Sequence, residues 1–326
     1  SMLRMNTSRR DAIFAALGAA AALSLSGAQA AEFGKVPVKL VVPFAPAGAT
    51  DFIARALAQR LSENFGTQFV VVNTPGAAGT IGAQQVAMAE PDGNTLLVYH
   101  IAMVTTHHVQ KNMPFDPLKS FTPITMLAEA SNVISVNPNV PARTLGELVE
   151  IAKKDPGKVN FGSAGIGGSD HLGGELLQMV TNTKLTHVPY KGGGPATAAV
   201  VAGEIEMNAG TVAQVAPMIR AGRLRALAVM QTERSSALPD VPSTTEAGFA
   251  ALDHKTWFGL WGPAKMAPEL VAKINSAVRE VLSRQDVREG MAKAGVDAKA
   301  STPQEFEAHV KAQHARWDKI LAGRFQ

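Results

Sequence analysis

The segment VVPFAPAGATD, residues 41–51, holds the end of a strand, a run of small or rigid residues and the start of a helix. Leu40, Val41 and Val42 are the apolar run of a buried strand. Pro43 and Pro46 cannot extend a hydrogen-bonded ladder, and Gly48 frees the backbone. Past Asp51, Ile53, Leu57 and Leu61 recur every four residues, which predicts a helix. An ordinary βα turn needs no such series of small residues, so this loop is expected to leave room for a bound group.

The same unit recurs three more times. FVVV (69–72) leads through NTPGAAGT (73–80) to a helix carrying Ile81, Val86 and Met88. KVNF (158–161) leads through GSAGIGGSD (162–170) to a helix carrying Leu172, Leu176, Leu177 and Val180. LTHVPY (185–190) leads through KGGG to Pro195, with Gly203 as the helix stop. Strands alternating with helices predict an α/β fold of mainly parallel sheets flanked by helices. Two pairs of units imply two lobes. Residues 31–131 and 256–326 are assigned to the first lobe and 132–255 to the second. The crossings fall at about 132–138 (NVISVNP) and 255–262, with Trp257 and Trp261 packed in paired hinge strands. A helix from Pro268 with Leu270, Ile274, Val278 and Leu282 follows. The last helix opens with the capping box Thr302-Pro303-Gln304-Glu305 and buries Phe306, Val310, Trp317 and Ile320 or Leu321, packing on the first lobe.

The chain has 326 residues, 46% apolar and 18% charged, which suits a sizeable core. Arg4, Arg9 and Arg10 precede the apolar stretch 12–25, and Ala28-Gln29-Ala30 offers a small-x-small cleavage site, so residues 1–30 read as an export signal. Ser8-Arg9-Arg10-Asp11 with Ile13 and Phe14 also fits the twin-arginine type, and a retained anchor is the alternative. Removing three Arg and one Asp would lower the net charge from +4 to +2. No block of like charge and only 6% aromatic residues argue against nucleic acid as a partner. With no cysteine, thiol catalysis, disulfides and thiolate metal sites are excluded.

Enzyme templates fail in turn. No G-x-S-x-G surrounds Ser163 or Ser169, and Asp170 occupies the third glycine position of a dinucleotide fingerprint. Gly157-Lys158 lacks the following hydroxyl of a phosphate loop, and no H-E-x-x-H is present. His107 and His108 are adjacent and are expected to point apart, which makes them poor joint ligands. No metal or cofactor is expected. What remains is the chemistry of helix starts, whose free amides and partial positive charge hold anions without a cationic side chain. Each dipole contributes about 0.3–1 kcal/mol when exposed and up to ~2 when partly buried. Loops leaving parallel strands share one sheet edge, so four such starts can converge on one cleft. Read singly, each loop is also an ordinary βα turn.

The motifs VPFAPAGATDFIARALAQRL, NTPGAAGTIGAQQVA, PDGNTLL, NFGSAGIGGSDHL, HVPYKGGGPA and LRALAVMQTERSSALPDVPSTTEAG, in this order, resemble the solute-binding receptors of tripartite tricarboxylate transporters, the Bug receptors. The resemblance covers essentially the whole chain after residue 30. It implies a two-lobed periplasmic binding protein of the type II, Venus flytrap kind, monomeric, that presents a small organic carboxylate to membrane permease subunits. It also implies a ligand-binding loop at Phe44, Ala47, Gly48, Ala49, Thr50 and Asp51, and a second at Asn73, Pro75, Gly76, Ala77, Ala78 and Gly79. Ala47 and Ala78 stand where the family commonly has glycine, and Val72, Asn73 and Thr74 replace a common Glu-Asn-Arg.

Single residues carry alternatives. Thr50 either donates to the ligand or caps its helix. Asp51, which would repel a carboxylate, suits capping or a ligand amine. Phe44 walls the pocket or packs in the core. In the second lobe, Ser163, Gly165 and Ser169 are candidates for hydrogen bonds, with Ser169 as helix cap the alternative. His171 touches ligand or neighbouring backbone. Tyr190 and Lys191 suit a second carboxylate, and Asn208 and Thr211 complete the candidate set. A periplasmic esterase using Ser163 or His171, and a receptor for an inorganic oxyanion or phosphonate, are the rival functions.

Overall fold

The computed structural model describes residues 32–46 and 48–325; the expected leader, residues 1–30, and Ala47 lie outside the described residues. The chain opens with β1 (Val38–Val42), α1 (Ala49–Phe65) and β2 (Phe69–Asn73), then a 3-10 turn (Ala77–Gly79) and α2 (Thr80–Ala87). β3 (Thr95–His100), α3 (Ala102–Thr105) and a second 3-10 turn (Thr106–His108) lead to β4 (Phe121–Ser131). β5 (Val133–Val136), α4 (Leu145–Lys154), β6 (Asn160–Ser163), α5 (Ser169–Thr181), β7 (Thr186–Pro189) and α6 (Gly193–Ala202) follow. Next come β8 (Met207–Asn208), α7 (Val212–Arg220), β9 (Arg225–Val229) and β10 (Lys255–Pro263). The chain closes with α8 (Pro268–Ser283), α9 (Gln285–Lys293), β11 (Asp297–Ala298) and α10 (Pro303–Leu321).

β1 sits between β2 and β3, parallel to both, so the three strands end at one sheet edge. Val38, Leu40, Val41 and Val42 are fully buried around an exposed Lys39, and Leu40–Val42 is the apolar run of a strand covered on both faces. α1 packs Ile53, Leu57 and Leu61 against this sheet and stops at Gly66, whose φ of 62° is the left-handed turn glycine allows.

The strands form two sheets, ordered β11-β4-β10-β3-β1-β2 and β7-β6-β8-β5-β9. Each is mixed rather than mainly parallel. Strands that feed a loop and helix are parallel, β1 with β2 and β3 and β6 with β7 and β8. Strands that cross or return are antiparallel, β10 with β3 and β4 and β5 with β8 and β9. The expected pairing of 132–138 with 255–262 does not occur, because β5 joins the second sheet and β10 the first. The crossings nevertheless run side by side: Met230 N–H donates to Asn132 C=O at 2.8 Å, and His254 N–H to Met230 C=O at 2.9 Å.

Trp257 and Trp261 of β10 are buried against Phe306 of α10. The capping box forms: Thr302 Oγ1 accepts from Glu305 N–H at 3.1 Å while Glu305 Oε2 accepts from Thr302 N–H at 3.0 Å. The tail does not stay on the first sheet. Ile320 packs into the core of the second, and Arg324 forms an ion pair with Glu175 of α5.

β10 and α10 approach closely because Gly259 has no side chain: a Cβ there would overlap the Phe306 ring. Gly259→Ala should therefore destabilise the fold by about 1–3 kcal/mol through overpacking, seen as a lower midpoint in thermal unfolding.

Candidate functional site

A cavity of about 450 Å3 lies where the loop ends of both sheets meet. The first sheet contributes Phe44, Ala45 and Gly48 to Asp51 after β1, Ala78 after β2, and His100, Ile101, Ala102 and Thr106 from the end of β3 onward. The second contributes Ala164 to Asp170 after β6, Gly192 after β7, and Thr211 and Gln214 after β8. Thr256 and Phe258 of β10 complete it. The four loops singled out in the sequence thus share one crevice.

The helices that begin at this cavity on glycine carry no side-chain cap. Gly48, Gly79, Gly168 and Gly192 occupy the cap positions of α1, α2, α5 and α6, none with a side-chain hydrogen bond. Neither Thr50 nor Ser169 is a cap; both lie inside their helices. In the first loop the Ala49 and Thr50 amides donate to nothing among the described residues, and the buried Thr50 side chain lines the cavity. Asp51 is held by Arg55 Nε at 2.9 Å and Asn73 Nδ2 at 2.9 Å, and Asn73 also donates to Phe44 C=O at 3.1 Å. Asn73 therefore laces this loop to β2 and does not line the cavity.

Around α2, Gly76, Ala77, Ala78 and Gly79 all have positive φ, at 126°, 49°, 54° and 96°. Two alanines in the left-handed region cost roughly 1–2 kcal/mol each. Tyr99 pins the turn by donating its hydroxyl to Ala78 C=O at 2.6 Å. Burial pushes the Tyr99 phenol above its usual range, so it remains a donor. Only Ala78 of this group faces the cavity; Pro75, Gly76, Ala77 and Gly79 form the turn behind it.

The second-lobe loop satisfies itself. Asp170 accepts from Ala164 N–H at 2.7 Å and His171 N–H at 3.0 Å, and burial raises its pKa to about 6. His171 Nδ1 accepts from Gly167 N–H at 2.9 Å, and its ring stacks on His187 at 3.8 Å. Ser163 is fully buried, with Oγ accepting from Gly165 N–H at 3.1 Å and lying 2.6 Å from His187 Nε2. Ser163 and His171, the residues of the esterase alternative, shape the loop from behind and do not line the cavity, whereas Asp170 does. Ser169 lines it but bonds Asn132 Oδ1 at 3.0 Å at the crossing.

Of the remaining candidates, Gly165 and Thr211 line the cavity, and Thr211 caps α7. Asn208 is buried in the second sheet with Ser135 Oγ donating to it at 2.6 Å. Tyr190 packs beside the second-lobe core, and Lys191 is exposed beside Gly192 without an ion pair among the described residues.

His100, Ile101, Ala102, Thr106, Gln214, Thr256 and Phe258 were missed. The apolar run TLLVYHIAMV hides the end of β3, since no glycine or proline marks it. The signal available was PDGN before a strand that must lie beside β1. His100 stacks on Phe44 at 4.7 Å, and burial lowers its pKa to about 4. Its Nδ1 accepts from Ala102 N–H at 3.1 Å, which places the proton of the neutral ring on Nε2 as a donor. Among the described residues the lining contains two acids, Asp51 and Asp170, and neither lysine nor arginine.

Two α/β lobes joined by adjacent crossings, with helix starts aimed into a shared cavity, define a two-lobed periplasmic binding protein. The chain matches the family described as "Tripartite tricarboxylate transporter family receptor" over residues 53–324, and it belongs to that family. It is 31% identical to Protein BugT of Bordetella pertussis over 87% of this chain and 88% of that one. Rpa4515 of R. palustris, solved with adipate, superposes with a TM-score of 0.80 at 31% identity, covering 89% of this chain and 97% of the other. MatC of Rhodopseudomonas palustris, with bound malate, gives 0.78 at 30% identity, covering 89% and 100%. Among the described residues no helix is long and apolar enough to cross a membrane.

The buried imidazoles give the fold an acid limit. His100, His187 and His254 each have a folded pKa of about 4, below the usual 6.5, with burial the leading cause. The folded chain therefore binds fewer protons than the unfolded chain between pH 6.5 and 4, and stability falls as pH drops through that window. For fully buried His254 alone this is on the order of ~3 kcal/mol. Asp170, raised from 3.8 to about 6, works in the opposite direction over a similar range. Three groups outweigh one, so the thermal midpoint should be lower at pH 4.5 than at pH 7.5; equal midpoints would contradict this assignment.

Proposed function

We propose that this receptor captures a small organic carboxylate, such as a di- or tricarboxylate, and delivers it to the permease subunits of a tripartite transporter. The observation that carries the reading is a cavity where, among the described residues, the amides of Ala49, Thr50 and Ala78 have no partner and no cationic side chain lines the wall. Amide hydrogens at helix starts suit a carboxylate, and they reach it only where no side chain intervenes. Phe44, His100 and Phe258 form an apolar wall for the stem of the acid, and His100 Nε2–H is a further donor. Adipate and malate in the two structural relatives support this substrate class. The volume lies within the usual range of small-molecule pockets, roughly 300–1,000 Å3.

In this reading residues 31–131 and 256–326 form the docking lobe and 132–255 the closing lobe, hinged at Asn132 and at the return through His254. The protein works as a monomer in the periplasm, freed of its leader near Ala30. The ligand is bound and released unchanged.

Gly48 gives the cleanest test. A Cβ there meets nothing within 4 Å, whereas one at Gly76 would lie 2.6 Å from Ile81 Cδ1 at a φ of 126°. Gly48→Leu should keep the thermal midpoint and lose at least ~100-fold in affinity for adipate or malate by calorimetry, from a micromolar starting value of about 8 kcal/mol. His100→Phe, which keeps the stack but removes both the Nε2 donor and the Nδ1 acceptor of Ala102 N–H, should cost at least about 1 kcal/mol, roughly fivefold. Unchanged affinity in Gly48→Leu, or saturation by phosphate or sulfate with no response to carboxylates, would overturn the proposal.

A further inference from the structure

Directly after Thr106, which lines the ligand cavity, three imidazoles crowd one carboxylate. His107 Nε2 and His108 Nε2 both lie 2.8 Å from Asp318 Oδ1, and His314 Nδ1 lies 3.3 Å from Asp318 Oδ2. The ligating atoms of His107, His314 and Asp318 all fall within 4.8 Å of one another. This corrects the expectation that His107 and His108 point apart. They sit on a 3-10 turn, and their rings, 4.1 Å apart and tilted by 38°, converge on a carboxylate from a facing helix. His314 and Asp318 are four residues apart on α10 and therefore share one face. The His107 and His314 rings stack across the gap at 5.0 Å.

Three imidazole nitrogens lie within 3.3 Å of the two oxygens of one carboxylate. Three nitrogens and one oxygen are the donor set of a tetrahedral transition-metal site. Zinc takes imidazole nitrogen and carboxylate oxygen at about 2.0–2.2 Å. His107, His314 and Asp318 already bring three donors within 4.8 Å of one another, and His108 Nε2 joins them through the same Asp318 oxygen. The supporting frame is rigid. Trp317 is fully buried beside Asp318, and Thr106 Oγ1 donates to Ala102 C=O at 2.7 Å ahead of the turn. All four side chains keep partial exposure, from 14% at His108 to 44% at Asp318, which leaves an entry path.

We propose that His107, His314 and Asp318, with His108 as the fourth donor, form a binding site for a divalent transition-metal ion of the zinc type. The ion clamps α10 to the segment that runs from β3 past the ligand cavity. That segment also reaches the second lobe, where Thr105 Oγ1 donates to Gly167 C=O at 3.2 Å. Binding to the folded chain raises its stability by mass action.

The test uses the chain without its leader and without any affinity-tag histidines, stripped by chelator and titrated with zinc chloride by calorimetry. One ion per chain should bind with a dissociation constant of about micromolar or tighter, and zinc should raise the thermal midpoint. His107→Gln and Asp318→Asn should each weaken binding at least ~10-fold, about 1.4 kcal/mol. His309→Ala, on the same helix but packed against Trp257, should bind as the parent does. Cobalt bound in place of zinc should show the visible absorption of a tetrahedral centre, lost in His314→Ala. Melting of the metal-free variants establishes that they fold. No saturable binding up to ~100 μM zinc, or equal binding by parent, His107→Gln and Asp318→Asn, would leave a hydrogen-bonded cluster only and overturn the proposal.

Discussion

A helix whose first turn is capped by a side chain has already used the amides that an anion would need. α4 and α10, which begin away from the cavity, are capped by Thr144 and Thr302, and α7, which begins at it, is capped by Thr211. α1, α2, α5 and α6 begin beside it on glycine. Glycine costs only a few tenths of a kcal/mol relative to a good cap, so keeping these amides open demands little stability. Parallel strands then bring the open ends to a common edge. The rest of the site, from the pinned turn at Ala78 to the neutral His100, builds on that arrangement.

The two lobes differ in how they spend their polar groups. In the first, Asn73 and Arg55 occupy Asp51, while the Ala49, Thr50 and Ala78 amides stay open among the described residues. In the second, Asp170, His171 and Ser163 take up most of the amides of residues 164–168 from behind. A first lobe with open donors and a second with a finished loop fit docking on the former and covering by the latter. Gly295 and Ala213 are one more place where the two sides touch, since a Cβ on Gly295 would overlap Ala213.

The repeated strand, small-residue loop and helix were legible because proline and glycine mark each strand end. The stripe and capping box of α10 were legible for the same kind of reason: their spacing is local. The direction of β4, β5 and β10 was not, because an apolar run such as TWFGLW reads alike in either orientation. The inward roles of Asn73 and Ser163 were hidden too, since only the fold brings their partners Phe44 and His187 close. The bond of His171 to neighbouring backbone, one of its two readings, is local and forms with Gly167 N–H. The convergence of His107 and His108 on Asp318 spans more than 200 residues, so no local pattern announces it.

The central claim is that open backbone amides, rather than cationic side chains, grip the acid. Amide-detected NMR of the 15N-labelled chain during titration with adipate or malate tests it most directly. The account predicts large downfield proton shifts at Ala49, Thr50 and Ala78, with the Lys191 side chain unmoved. Shifts confined to Lys191 and its neighbours, with those three amides unchanged at saturation, would contradict it.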